Sequence, residues 1–285
     1  MTVRVHDTFA RWTSHAMYAM CVVAAGAIIA FLVLVSGFIA YKGATSISLD
    51  LFTKPPIANG MPGYPGGMHS AIVGTLTLIG MAGLIGVPIG ILTGVYLAEY
   101  EAGSWLAAPV RFICDVLSGV PSIVVGVLGY ELLVVPLGRY NAYAGASALA
   151  FIMVPLVART TEEMLRLVPG SYREASIALG ATKARTILGV VLPSVTGSIV
   201  TGVMLALARI AGETAPLLFT ALGAREIHGL REPFPSLTVQ IYTYATGPYA
   251  EEKRLAWAGI LVLVGLVFLF NLLIRFVTRR SKPAT

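Results

Sequence analysis

Charged residues are scarce. Asp, Glu, Lys and Arg make up 12% of the 285 residues, about half of what a soluble domain carries, which excludes an ordinary soluble globular protein. Cysteine is nearly absent too. Cys21 and Cys114 stand far apart, in or beside apolar runs, so the sequence spells out neither a disulfide framework nor a metal site. Both read as buried small apolar residues. The four histidines, His6, His15, His69 and His228, fall outside the long apolar runs or at their edges. His-Glu-x-x-His is missing, as is Gly-x-x-x-x-Gly-Lys-Ser/Thr. The first absence removes a zincin-type hydrolase, and the second removes a nucleotide-phosphate cradle. An intramembrane hydrolase is thus left with almost nothing from which to build a nucleophile and base. The net charge of +6 is not gathered into a basic, aromatic-interleaved patch, so a nucleic-acid partner has no footprint here.

What the chain has instead is hydrocarbon. Hydrophobic residues reach 56% and the mean hydropathy is +0.81. Apolar runs of about 20 residues, the length that crosses a bilayer, recur along it. They predict an all-α integral membrane protein with about six spans, near 16–41, 70–97, 109–137, 142–158, 194–222 and 255–277. The first run is too long for a cleaved signal segment and reads as an uncleaved anchor. With the N-terminus inside, the inner segments hold 12 of the 20 Lys and Arg residues and the outer ones seven, with Arg209 left in a span. By the positive-inside rule both termini are then cytoplasmic. The outer stretch "KPPIANGMPGYPGGM" (54–68) is full of turn formers and predicts an irregular connection, as does "REPFPS" (231–236).

One inner segment carries local signals. In "VPGSYREASIALGATKARTILGVVLPS" (168–194), Pro169-Gly170 makes a turn, and Ser171 with Glu174 has the spacing of a capping box. A short helix over Tyr172–Leu179 would end at Gly180, and Thr182 would start a second one that stops near Pro193. The apolar Ala175, Ile177, Ala178 and Leu179 then need a surface to cover. Either the knuckle packs on its own bundle or it meets a partner. The residues themselves match a pattern: "EASIALG" followed by "VVLP" resembles the EAA loop of ABC-importer permeases. There the loop forms coupling helices that dock on an ATPase subunit. Glu174, Ala175 and Gly180 occupy the motif positions, Leu179 precedes the glycine, and Ser176 stands where the motif has its second alanine.

A second feature lies in "ALARIAGETAPLLFTAL" (206–222). Arg209 and Glu213 are four residues apart, on one face if the helix is continuous, and each costs about 2.5–3.5 kcal/mol at the bilayer centre. Ionisable residues in spans mark substrate or ion pathways by default. A salt bridge that only fixes helix packing is the competing reading, and buried ion pairs are poor stabilisers. A guanidinium offers fixed charge and forked donors suited to an oxyanion. Glu213 could hold it when no anion is present or pair with a neighbouring subunit, and Thr214 adds a hydroxyl. This run, with "QIYTYATGPYAEEKRLAWAG" (240–259) and "DVLSGVPSIVVG" (115–126), resembles the permeases of the bacterial phosphate-specific ABC importer. The resemblance runs over nearly the whole chain.

It implies a type I ABC-importer permease (MetI-like) fold. Residues 1–285 would form a single transmembrane permease domain in the bacterial inner membrane, with a cytoplasmic coupling loop over about 162–193. It also implies partners: a second, different phosphate permease subunit, a dimeric cytoplasmic ATPase that binds ATP and Mg2+, and an extracytoplasmic phosphate-binding protein. No cofactor or metal is expected in this chain. A permease for another oxyanion, sulfate or molybdate, is the alternative cargo. Two Gly-Val-Pro runs, ending at Pro88 and Pro121, predict helix kinks of the sort that line transporter sites, or that serve packing alone. Gly86, Gly90 and Gly94 form a small-residue ridge for close helix contact. Asp115 is placed to pair with Arg111, one turn earlier.

Overall fold

A computed structural model describes residues 3–56, 66–100 and 105–280, with side chains inside the limits 11–273. Five helices are long and apolar enough to cross a membrane, or six if a bent pair counts as one span. The residues expected between spans in the stretch 57–65 lie outside the described residues.

Helix α1 (Val3–Ala44) is apolar on every side, as a lipid-surrounded helix should be, and its candidate span is unburied. It touches the bundle near its outer end, where Phe38 meets Trp257 edge-on at 5.4 Å. Cys21 therefore lies exposed on this helix, not buried as its small apolar character suggested, while Cys114 is buried. After the short α2 (Leu49–Thr53) comes α3 (His69–Glu99), uninterrupted through Pro88. The glycine ridge does here what its spacing predicted. A Cβ built on Gly90 would sit 2.6 Å from Cβ of Val157, and one on Gly94 would sit 2.6 Å from Cβ of Thr161. Only glycine lets the backbones come this close. The neighbour is α7 (Ala142–Arg166), parallel to α3 and lined with buried alanines.

The third expected span is not one helix. Helices α4 (Ala107–Gly119) and α5 (Ser122–Gly129) meet at Val120-Pro121 with a bend of 106°. Helix α5 runs on through a π turn (Tyr130–Val134) into α6 (Val135–Leu137). Proline cannot donate to the helix and drives its predecessor out of helical geometry, and Val120 accordingly sits at φ −68°, ψ 131°. Of the two expected kinks, Pro121 thus marks a sharp break and Pro88 none.

The knuckle opens with α8 (Gly170–Ala178), whose N-cap is Pro169 with no side-chain cap bond. Ser171 lies inside the first turn, so the expected capping box does not form. Gly180 ends the helix at φ +81°, where glycine is free of the Cβ clash. Thr182 caps α9 (Lys183–Thr186) by accepting from the Arg185 amide. Helix α9 does not stop at Pro193; a π turn (Ile187–Val191) joins it to α10 (Leu192–Ala211) as one candidate span, Lys183–Ala211. Proline near a helix start loses no bond. The expected fifth span then breaks at Gly212–Thr214 before α11 (Ala215–Thr220). Helix α12 (Leu237–Thr246) lies before α13 (Ala250–Arg280), the last span.

Large apolar side chains such as Phe31, Leu84 and Leu92 stay exposed, while many alanines pack among buried Leu78, Leu149, Met153 and Ile210 at the centre. Burying apolar area gains nothing in lipid, so close packing of small residues holds the bundle.

Candidate functional site

The break in the fifth span holds the polar residues the sequence singled out. Arg209 lies in the last turn of α10, Glu213 in the break, and Thr214 is the N-cap of α11. Arg209 and Glu213 therefore do not share a continuous helix, yet they still approach, with Nε 3.9 Å from Oε1. At that distance the contact is Coulombic and not a hydrogen bond. The Arg209 side chain is half exposed and Glu213 is 19% exposed. Backbone groups freed by the break find partners nearby. Gly212 N–H donates to Arg209 O, Glu213 N–H donates to Ile210 O, and the Thr238 hydroxyl donates to Glu213 O at 3.1 Å. Irregular backbone at membrane depth needs such rescue.

Neighbouring contacts give the depth of the break. Gly202 packs on Thr160, and Gly145 on Ala221 and Leu217. Counting seven residues along each helix from the first pair brings Arg209 level with Met153, the middle of α7; at 1.5 Å per residue that lies about 18 Å from either end. A guanidinium thus sits level with the middle of a candidate span, with no hydrogen bond from its donors among the described residues. Below it, Ser194, Ser198, Thr201 and Leu205 continue the open face of α10 at helical spacing. The sequence reading overlooked these hydroxyls, although the i, i+3/i+4 recurrence was there to be seen. Pro88 does not join this face. It lines an apolar cleft with Gly80, Gly83, Leu207 and Phe270, and Leu207 points away from Arg209 on α10.

At the inner end of α7, Glu162 is buried among arginines. Its Oε1 accepts from Arg111 Nη2 at 2.8 Å and lies 3.0 Å from Arg166 Nη2, and Arg159 Nη1 is 3.7 Å from Oε2. Asp115 pairs with Arg159 at 2.9 Å, not with Arg111 as its spacing suggested. Arg159 lies on α7, a different helix from Asp115, out of reach of a local pattern.

The knuckle presents an open apolar surface. Helix α8 has no buried residue, and Leu179 is 90% exposed, with Ile177 and Tyr172 more than half exposed. Glu174 and Ala175 are exposed as well. Ser176, the departure from the motif, is hydrogen bonded to buried Thr186 at 2.9 Å. Arg173, unremarked in the sequence, reaches Glu99 at the end of α3, its Nη2 lying 2.5 Å from Oε1.

Residues 86–283 match the family described as binding-protein-dependent transport system inner membrane component. The phosphate transport system permease protein PstA of Yersinia pestis is 46% identical over 245 residues, 85% of this chain and 81% of that one. Among solved structures, a bacterial ABC transporter involved in import of the acidic polysaccharide alginate superposes over 98% of this chain and 100% of its own, with a TM-score of 0.69 at 17% identity. The inward-facing MetNI methionine ABC transporter superposes over 75% of this chain and 95% of its own, with a TM-score of 0.63 at 23% identity. At these identities the likeness establishes the fold.

Proposed function

The chain belongs to the family of binding-protein-dependent transport system inner membrane components, and from that premise we propose that Arg209 is where phosphate passes the middle of the bilayer. The chain is the inner-membrane permease subunit of a phosphate ABC importer, and the ATPase is a separate subunit. One observation carries the role of Arg209: a guanidinium level with the middle of a span whose donors make no hydrogen bond among the described residues. An anion entering a narrow path loses hydration that fixed donors must replace, and hydrogen bonds to charged groups contribute about 1.5–3 kcal/mol each. Glu213 balances the charge when the path is empty, Thr214 offers a hydroxyl, and Ser198 and Thr201 line the way inward.

In this reading α8 is the coupling helix. Exposed Leu179 and Ala175 meet the ATPase, and Glu174 with Gly180 sets the loop's shape. ATP and Mg2+ are held by a two-copy ATPase, and a second, different permease subunit closes the other half of the path. An extracytoplasmic protein delivers phosphate. ATP binding closes the ATPase pair and rocks the permease halves outward, and hydrolysis returns them.

The test is ATP-driven phosphate uptake by vesicles holding the full complex. Arg209→Gln, checked for assembly, should lower uptake at least about tenfold, the loss expected for one charged hydrogen bond. Undiminished uptake would make Arg209 a packing residue. Competition with sulfate and molybdate in the native complex tests the cargo.

A further inference from the structure

We propose that Arg173 is a positioning residue that makes the ATPase-docking helix rigid with the two central spans, α3 and α7. The proposal rests on the reading that α8 docks on the ATPase.

Helix α8 has no apolar anchor among the described residues, since none of its own residues is buried. Polar links must hold it. Arg173 supplies most of them. Its Nε lies 3.1 Å from both Glu99 oxygens, its Nη2 donates to Glu99 Oε1 at 2.5 Å and to Leu165 O at 2.9 Å, and its Nη1 donates to Val168 O at 2.7 Å. One planar side chain therefore joins three elements: α8, the last residue of α3 and the carbonyl end of α7. The geometry suits a guanidinium and no other side chain, because the fork grips a carboxylate while its outer donors stay free for carbonyls. The exposed carbonyls and negative dipole of a helix C-terminus favour a cation there. The Glu99 side chain is 6% exposed and that of Arg173 24%, so water competes little for the pair. Lys183, 4.4 Å over the Tyr100 ring, and Ser176 on Thr186 tether the same loop.

What Arg173 holds is itself rigid. The glycine ridge locks α3 to α7, and α7 packs on α10 where Gly202 meets Thr160, about two helical turns from Arg209. A displacement of α8 by the ATPase is thus delivered to the pair α3–α7 as a unit and on to the helix carrying Arg209. Glu174, the residue of the motif, makes no hydrogen bond among the described residues; its predecessor makes the connection.

The experiment uses the complete complex in proteoliposomes with ATPase and binding protein, and reads phosphate taken up per ATP hydrolysed. Arg173→Gln should keep the ATPase bound and hydrolysis near native while uptake per ATP falls about tenfold, within the usual range for coupling between sites. Glu99→Gln, which leaves the carbonyl contacts, should fall in the same direction. The double variant should be no worse than Arg173→Gln alone, because both remove one link. Arg173→Lys, which keeps a cation beside Glu99 and the carbonyls but loses the fork, should recover part of the ratio relative to Arg173→Gln. Native uptake per ATP in Arg173→Gln, or loss of the ATPase from that complex, would overturn the proposal. Leu179→Asp tests docking separately. If it retains the ATPase, the docking reading fails, whatever Arg173 does.

Discussion

Arg209 and Arg173 carry the same group and spend it oppositely. Arg173 commits its fork to Glu99 and two carbonyls, whereas among the described residues Arg209 has only a 3.9 Å approach to Glu213. A fully bonded guanidinium holds structure, and an unspent one at mid-depth is available to a ligand. The difference predicts what lysine does at each place. Lysine keeps the charge and loses the fork. Arg209→Lys should therefore retain uptake while raising the KM for phosphate by about tenfold, one hydrogen bond's worth. An unchanged KM, measured as initial uptake rate against phosphate concentration, would mean that the fork does not touch the substrate. Arg209 and Glu213 stand out in the sequence because charge inside an apolar run contrasts with its background. The Arg173–Glu99 pair, 74 residues apart, has no local signal, whereas Glu162 has Arg159 and Arg166 within one turn on its own helix and only its Arg111 contact, 51 residues away, is long-range.

Elements were legible to the extent that their causes are local. Gly180 and Thr182 end and start their helices as predicted, since a left-handed residue and a hydroxyl cap act within one turn. The spacing of Gly86, Gly90 and Gly94 gave the packing face of α3, though not its partner α7. What failed is what depends on neighbours. Pro88 and Pro121 follow the same Gly-Val pair, yet only the second bends its helix, because α7 braces α3 through the ridge. Replacing Gly90 by Ala puts a Cβ 2.6 Å from Val157 Cβ, and overpacking of this kind costs about 1–3 kcal/mol. Thermal unfolding in detergent should fall by several degrees for Gly90→Ala and hardly at all for Gly80→Ala, where a Cβ meets open space. Equal effects would remove the ridge from the account. For α8, the docking surface predicts that Leu179→Asp lets the purified permease lose its ATPase, measured by co-purification.

For the whole molecule, counting the bent pair as one span gives six, which puts the start of α1 and the end of α13 on one side, in line with the lysine and arginine count. The open face of α10 has no partner among the described residues, so its Ser, Thr and Arg side chains face either water in a path or another subunit's packing surface. Hydroxyls pointed at lipid would gain nothing, and a single half-path is what one permease subunit should present. Leu205, one turn from Arg209 and half exposed, reports on this face without removing a polar group. The direct measurement replaces Cys21 and Cys114 by serine and alanine, introduces Leu205→Cys into the assembled importer, and follows labelling by a charged, water-soluble maleimide with and without phosphate. We predict labelling that ATP turnover enhances and phosphate slows. A cysteine at 205 that only a lipid-soluble reagent reaches would place this face away from water and contradict a phosphate path past Arg209.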